Sequence, residues 1–150
     1  MTADEGYIKY DIDWTPGPPP DADGARALDT WRRPLHAAGL IGEYADSGIG
    51  FGNLSIRRRD GGLFLISGTR TGRFGATTPE HYALVTAVDI DANRVACCGP
   101  VQASSEAMTH AAIYALGDHV GAVVHIHSKD LWDRFLGVLP TTRADVPYGT

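Results

Sequence analysis

Two histidines stand one residue apart in the β-branched run AVVHIHS at 122–128. Side chains alternate faces along a strand, so His125 and His127 project together, roughly 6–7 Å apart at the backbone. Two imidazoles at that spacing are able to converge on one metal ion. The same pair also fits an ordinary strand with hydrogen-bonded histidines, and the pattern alone leaves both readings open. Upstream lies ASSEAMTHAAIY at 103–114. Ser104 and Ser105 open a helix there, and a helix start offers N–H groups and partial positive charge to a phosphate or carboxylate. Glu106 is either a favourable charge in the first turn, worth about 0.3–1 kcal/mol, or an acid/base beside a metal. His110 follows one turn later and reads first as a packed or hydrogen-bonded histidine. Gly52, Asn53 and the stretch Ser67-Gly68-Thr69-Arg70-Thr71-Gly72 are small and polar, and suited either to oxyanion donation or to plain turns.

The elements around these residues follow from pattern. Residues 1–24 combine YIKYDIDW with TPGPPP and read as an extended, proline-containing arm that packs on a neighbour. From Ala25 to about Leu40, Leu28, Trp31, Leu35 and Ala38 recur at helical spacing, with Pro34 expected to kink or break the helix. Strands are expected near 53–58 and 63–67, paired antiparallel across Gly61-Gly62. A second hairpin joins 83–90 to 94–98 through Asp91-Ala92-Asn93. The alanine-rich stretch 104–116, stopped by Gly117, is the strongest helix. Val120–His127 is a strand, and 130–137 reads as helical.

Composition excludes several classes. The chain has 150 residues, a formal charge of −5 and no basic domain face, so nucleic acid is not an expected partner. The run Arg57-Arg58-Arg59 reads as a solvated strand end. No apolar stretch approaches the roughly 18 residues of a membrane span, and the first residues do not show a charged region followed by an apolar run, so a secretory leader is not expected. The two cysteines, Cys97 and Cys98, are adjacent, which fits a reducing compartment. A cytoplasmic location is the expectation.

In their order, GNLSIR at 52–57, LISGTRTG at 65–72, ASSEAMTHAAIY at 103–114 and AVVHIHS at 122–128 resemble the class II aldolase/adducin family over about residues 26–150. The resemblance implies an α/β domain, a three-layer α/β/α sandwich around a mostly antiparallel central sheet. It implies a homotetramer with active sites between subunits. Zinc, or another divalent metal, would be held by His125 and His127 with a third histidine from a later strand. Glu106 takes the place of the acid/base, and Asn53, Ser104 and Ser105 those of phosphate ligands. The rest of the phosphate loop falls within Ser67, Gly68, Thr71 and Gly72, where SGTRTG replaces the common T-P-x-G. The implied activity is an aldolase-type lyase acting on a small phosphorylated ketose or related hydroxy-carbonyl compound through a metal-stabilised enediolate.

No histidine follows His127, so residues 25–150 read as a C-terminally incomplete domain of this type. The family's partner-subunit tyrosine has only Tyr148 as a counterpart. Three alternatives accompany the lyase: an epimerase or dehydratase of the same family, a non-catalytic adducin-like oligomerisation or binding module, and a phosphate sensor built on Ser104 and Ser105.

Overall fold

The computed structural model describes residues 7–145; Tyr148 lies outside them. Strands β1 (Asp11–Pro16), β4 (Asn53–Arg57), β5 (Phe64–Ser67), β6 (Tyr82–Asp89), β7 (Arg94–Gly99) and β8 (Ala122–His125) form one six-stranded sheet in the order β1-β7-β6-β5-β4-β8. Two-residue strands β2 (Gly42–Glu43) and β3 (Gly50–Phe51) pair beside it. Helices α1 (Ala22–Ala37), α2 (Ala107–Tyr114) and α3 (Lys129–Phe135) and a short 3-10 helix at Pro79–His81 are the remaining elements among the described residues.

The hairpins read from the glycine and Asp-Ala-Asn turns are present: β5 pairs antiparallel with β4, and β7 antiparallel with β6. Gly61 and Gly62 both have positive φ, which glycine adopts without a Cβ penalty. The sheet is nonetheless mixed, because β1 pairs parallel to β7, with Asp11 facing Arg94 and Pro16 facing Gly99. Residues 11–16, within the stretch expected as an extended arm, form an edge strand of the chain's own sheet.

Successive residues of β5 serve opposite faces. Phe64 and Ile66 pack in one cluster with Val85, Val95 and Cys97 and with Ala107, Met108, Ala111 and Tyr114 of α2. Leu65 belongs to the other cluster, with Leu54, Tyr82, Ile41 and Ala25 and Leu28 of α1. Both clusters are almost fully removed from water, which is what holds the two helices to the sheet.

Helix α1 differs from expectation in three ways. It starts earlier, at Ala22, because the Asp21 carboxylate accepts the N–H groups of Asp23 and Gly24, both at 3.1 Å. It runs unbroken through Pro34: the missing N–H falls in the last turn, where a proline costs one hydrogen bond near the end. Its buried stripe is Ala25, Leu28, Asp29 and Arg32, not the purely apolar set, and Trp31 is 70% exposed. The helix is rotated to give two charged side chains to the interior. The arginine run is corrected as well. Arg57 donates to the carbonyls of Tyr114 (2.7 Å), Gly117 (3.0 Å) and Val120 (2.8 Å), so it closes the C-terminal end of α2 instead of facing solvent. Arg58 pairs with Asp21 and Asp60.

Candidate functional site

One end of β4, β5 and β8 opens onto a cavity of about 300 Å³. Its lining includes Gly52, Asn53, Gly68, Thr71, Gly72, Ser104, Ser105, Glu106, His125 and His127. Four separate segments of the chain therefore converge on one space. Ser67 stands apart. Its hydroxyl accepts the Leu54 N–H at 3.2 Å and donates to the Leu54 carbonyl, clasping β4 to β5 behind the cavity wall.

The register of β4 on β8 sets Asn53 opposite His125. Gly52, just before it, has φ +72°, and a Cβ there would meet Ile41, the Leu40 carbonyl and the His125 carbonyl at 2.8–3.1 Å. Only glycine lets the backbone approach β8 this closely while turning into β4. The Asn53 amide lies 3.2 Å from His125 Nδ1, and its Oδ1 is buried without a partner among the described residues. A half-turn of that amide would bring Oδ1 to the ring, make Nδ1–H the donor and leave Nε2 as the basic nitrogen.

Strand β8 ends at His125, so His127 lies two residues beyond it, held by its N–H to the Leu40 carbonyl at 2.9 Å. The two imidazoles remain adjacent, with ring centroids 4.9 Å apart. The Tyr44 hydroxyl lies 2.9 Å from His127 Nδ1, and Phe51 stacks on the ring at 5.3 Å. Both imidazoles are thereby oriented through Nδ1, the arrangement that suits ligation through Nε2, and nitrogen donors of this kind fit zinc. Among the described residues, no group of three or more His, Cys, Asp or Glu side chains is placed to hold a metal ion together. Tyr44 and Phe51 sit in a glycine-punctuated stretch whose only signal was its aromatics.

The Ser-Ser-Glu segment is corrected in detail. Helix α2 begins at Ala107, and Glu106 occupies the position before it without capping it through its side chain. Ser104 is instead sheet-like: its N–H donates to the Ser67 carbonyl at 3.1 Å, next to the Gly68–Ala103 bridge. Its carbonyl accepts the Tyr10 hydroxyl at 2.7 Å, and its Oγ accepts the Glu106 N–H at 3.3 Å. Glu106 is buried, and Thr109 Oγ1 donates to its Oε2 at 3.1 Å. His110 lies one turn on, fully buried, with Nδ1 2.7 Å from Ser55 Oγ. Burial, with His125 nearby, pushes it down to about 3, so it is a neutral packing residue.

The loop after β5 is pinned from beneath by residues that the sequence patterns did not single out. Arg32, 1% exposed, donates through Nη2 to the carbonyls of Thr71 (2.8 Å) and Gly72 (3.1 Å) and through Nη1 to that of Phe74. Asp29 accepts the N–H and hydroxyl of Thr77 at 2.6 and 2.9 Å. Burial raises its carboxyl, but the bonds from Thr77 and Arg33 outweigh this and hold it below the usual range. Gly72 must be glycine, since a Cβ would lie 2.1 Å from the Gly42 carbonyl oxygen.

Residues 36–132 match the family model described as the class II aldolase and adducin N-terminal domain. No curated protein matches the chain.

Proposed function

We propose that the chain, which belongs to the class II aldolase and adducin N-terminal domain family, is a metal-dependent lyase of the aldolase type acting on a small phosphorylated ketose or related hydroxy-carbonyl compound. The observation that carries this reading is the convergence of a histidine pair, a buried carboxylate and several oxyanion donors on one cavity. A divalent cation, zinc in the first instance, would be held by His125 and His127 and would supply a Lewis acid toward the substrate's carbonyl and hydroxyl oxygens.

Glu106 is the group that moves a proton at the carbon beside the carbonyl. Its carboxylate is shielded from bulk water and steered by Thr109, which donates to its Oε2. Asn53, Ser104 and Ser105 bind the anionic end, with backbone N–H groups of the Gly68–Gly72 loop. Ser67 holds the two strands that carry these residues. A three-layer α/β/α sandwich is supported by the two apolar clusters that α1 and α2 make with the sheet. A cytoplasmic homotetramer is the assembly that accompanies the same reading.

The test uses the full chain loaded with zinc and the variants Glu106→Gln and His127→Ala. Incubation with phosphorylated ketoses in deuterated water should give carbon-bound deuterium or cleavage. Glu106→Gln should lower either rate by at least about 100-fold, and His127→Ala should lose zinc after dialysis. Unchanged exchange in Glu106→Gln would remove the carboxylate from the mechanism. A stable oligomer that neither binds zinc nor exchanges protons would replace the lyase with an adducin-like binding module, and inversion without cleavage would indicate an epimerase.

A further inference from the structure

The cavity holds one cation to which the reading above gives no task. Arg70 lines it, and Arg70 and Glu106 are the only Lys, Arg, Asp or Glu side chains among the lining residues. Most other described arginines have a carboxylate, carbonyl or ring partner; Arg70 has no ion pair or hydrogen bond among the described residues, in a chain with more acids than bases. Its backbone is also held in an uncommon state. Arg70 has φ +60°, one of two non-glycine residues with positive φ among the described residues.

The flanks explain how that state persists. On one side the Thr69 N–H donates to the Gln102 carbonyl at 2.9 Å. On the other, Thr71 Oγ1 donates to the Gly68 carbonyl at 2.8 Å while the Thr71 carbonyl is taken by buried Arg32. With both neighbours tied to the fold, residue 70 is over-determined, the condition under which a left-handed side-chain-bearing residue survives. Asparagine or glycine would fit that backbone with less strain.

We propose that Arg70 is a specificity-determining residue, selecting ligands whose far end is an anionic oxygen group. The inference rests on the proposal that this cavity is the substrate site, and it adds the side chain that selects for the anionic end. An anion entering beside the Glu106 carboxylate needs a compensating cation, and a guanidinium offers paired N–H donors matched to phosphate or carboxylate.

The test titrates inorganic phosphate, and separately acetate, into the full chain and into Arg70→Asn and Arg70→Lys, with binding read by isothermal calorimetry and loop amide shifts. Asparagine tolerates φ > 0, so loss of binding in Arg70→Asn reports the side chain and not a displaced loop. Saturable phosphate binding by the unaltered chain, weakened at least roughly tenfold in Arg70→Asn and largely recovered in Arg70→Lys, supports the proposal for phosphorylated ligands. The same pattern with acetate alone supports it for carboxylates. Equal affinity in the unaltered chain and Arg70→Asn overturns it, as does failure of the unaltered chain to bind either anion. Zinc content, measured in parallel, is expected to be unchanged by Arg70→Asn and reports on the histidine pair independently, so failure of the metal reading and failure of the Arg70 assignment appear in different measurements.

Discussion

Replacing Arg32 by methionine keeps an unbranched apolar stem and removes the guanidinium that binds the loop at Thr71, Gly72 and Phe74. The Thr71 carbonyl retains the Phe74 N–H at 3.2 Å, whereas the carbonyls of Gly72 and Phe74 lose their partner. Two acceptors left without donors, one buried at Gly72 and one half-buried at Phe74, cost about 1–3 kcal/mol each, the second toward the lower end. Burial had depressed the guanidinium, and relief of its desolvation returns part of that cost. A net destabilisation of about 3 kcal/mol follows, a large share of the roughly 5–15 kcal/mol typical of a domain. With a urea slope of about 2 kcal/mol per molar, the unfolding midpoint should fall by about 1.5 M. Arg32→Lys should recover only part of this, since one ammonium does not span three carbonyls in the guanidinium's planar fork. A midpoint for Arg32→Met within about 0.25 M of the unaltered chain, or full recovery in Arg32→Lys, would refute the claim that the loop depends on this side chain.

Two further outcomes are expected. His110 is held down to about 3 when folded, so between that value and about 6.5 the unfolded chain binds a proton that the native chain does not. Stability is therefore complete above about pH 6.5 and declines by about 1.4 kcal/mol per unit as pH falls toward 3. Urea midpoints at several pH values should lose that slope in His110→Asn, and an identical slope would place the effect elsewhere. Gly72→Ala sets a methyl against the Gly42 backbone carbonyl and should cost about 1–3 kcal/mol, read from the same unfolding curves. Full stability in that variant would show that the loop shifts without strain.

Local signals in the sequence carried far. Both hairpins, the helix after Ser104-Ser105-Glu106 and the histidine pair all rest on turn chemistry and periodicity within a few residues, and each is present with shifted ends. What stayed hidden depended on contacts distant along the chain. Parallel pairing of β1 with β7 leaves no mark in DIDWTP itself. The helix boundary at Ala107 moved because Ser104 pairs with the Ser67 backbone, a bond that helix propensity cannot register. Asp29 and Arg32 lie outside the apolar spacing that marks α1 in the sequence, yet they point inward because the loop at 71–77 offers three carbonyls, an amide and a hydroxyl to receive them. Around the cavity, residue types marked out Glu106, His125, His127 and Asn53, whereas Tyr44 and Phe51, which touch the His127 ring, became visible only by convergence.

The pairing of the first strand with the fifth of its sheet also sets an order in time. Tyr10, whose hydroxyl meets the Ser104 carbonyl, is 94 residues from that partner along the chain. At ribosomal rates of about 5–20 residues per second, the N-terminal segment waits on the order of ten seconds before either β7 or Ser104 exists. During that interval β1 is an unpaired edge, and charged Asp11 and Asp13 among its residues discourage pairing with other nascent chains. The cavity is also late to form, since His125 on β8, which supplies one of its walls, is made 72 residues after its partner Asn53 on β4.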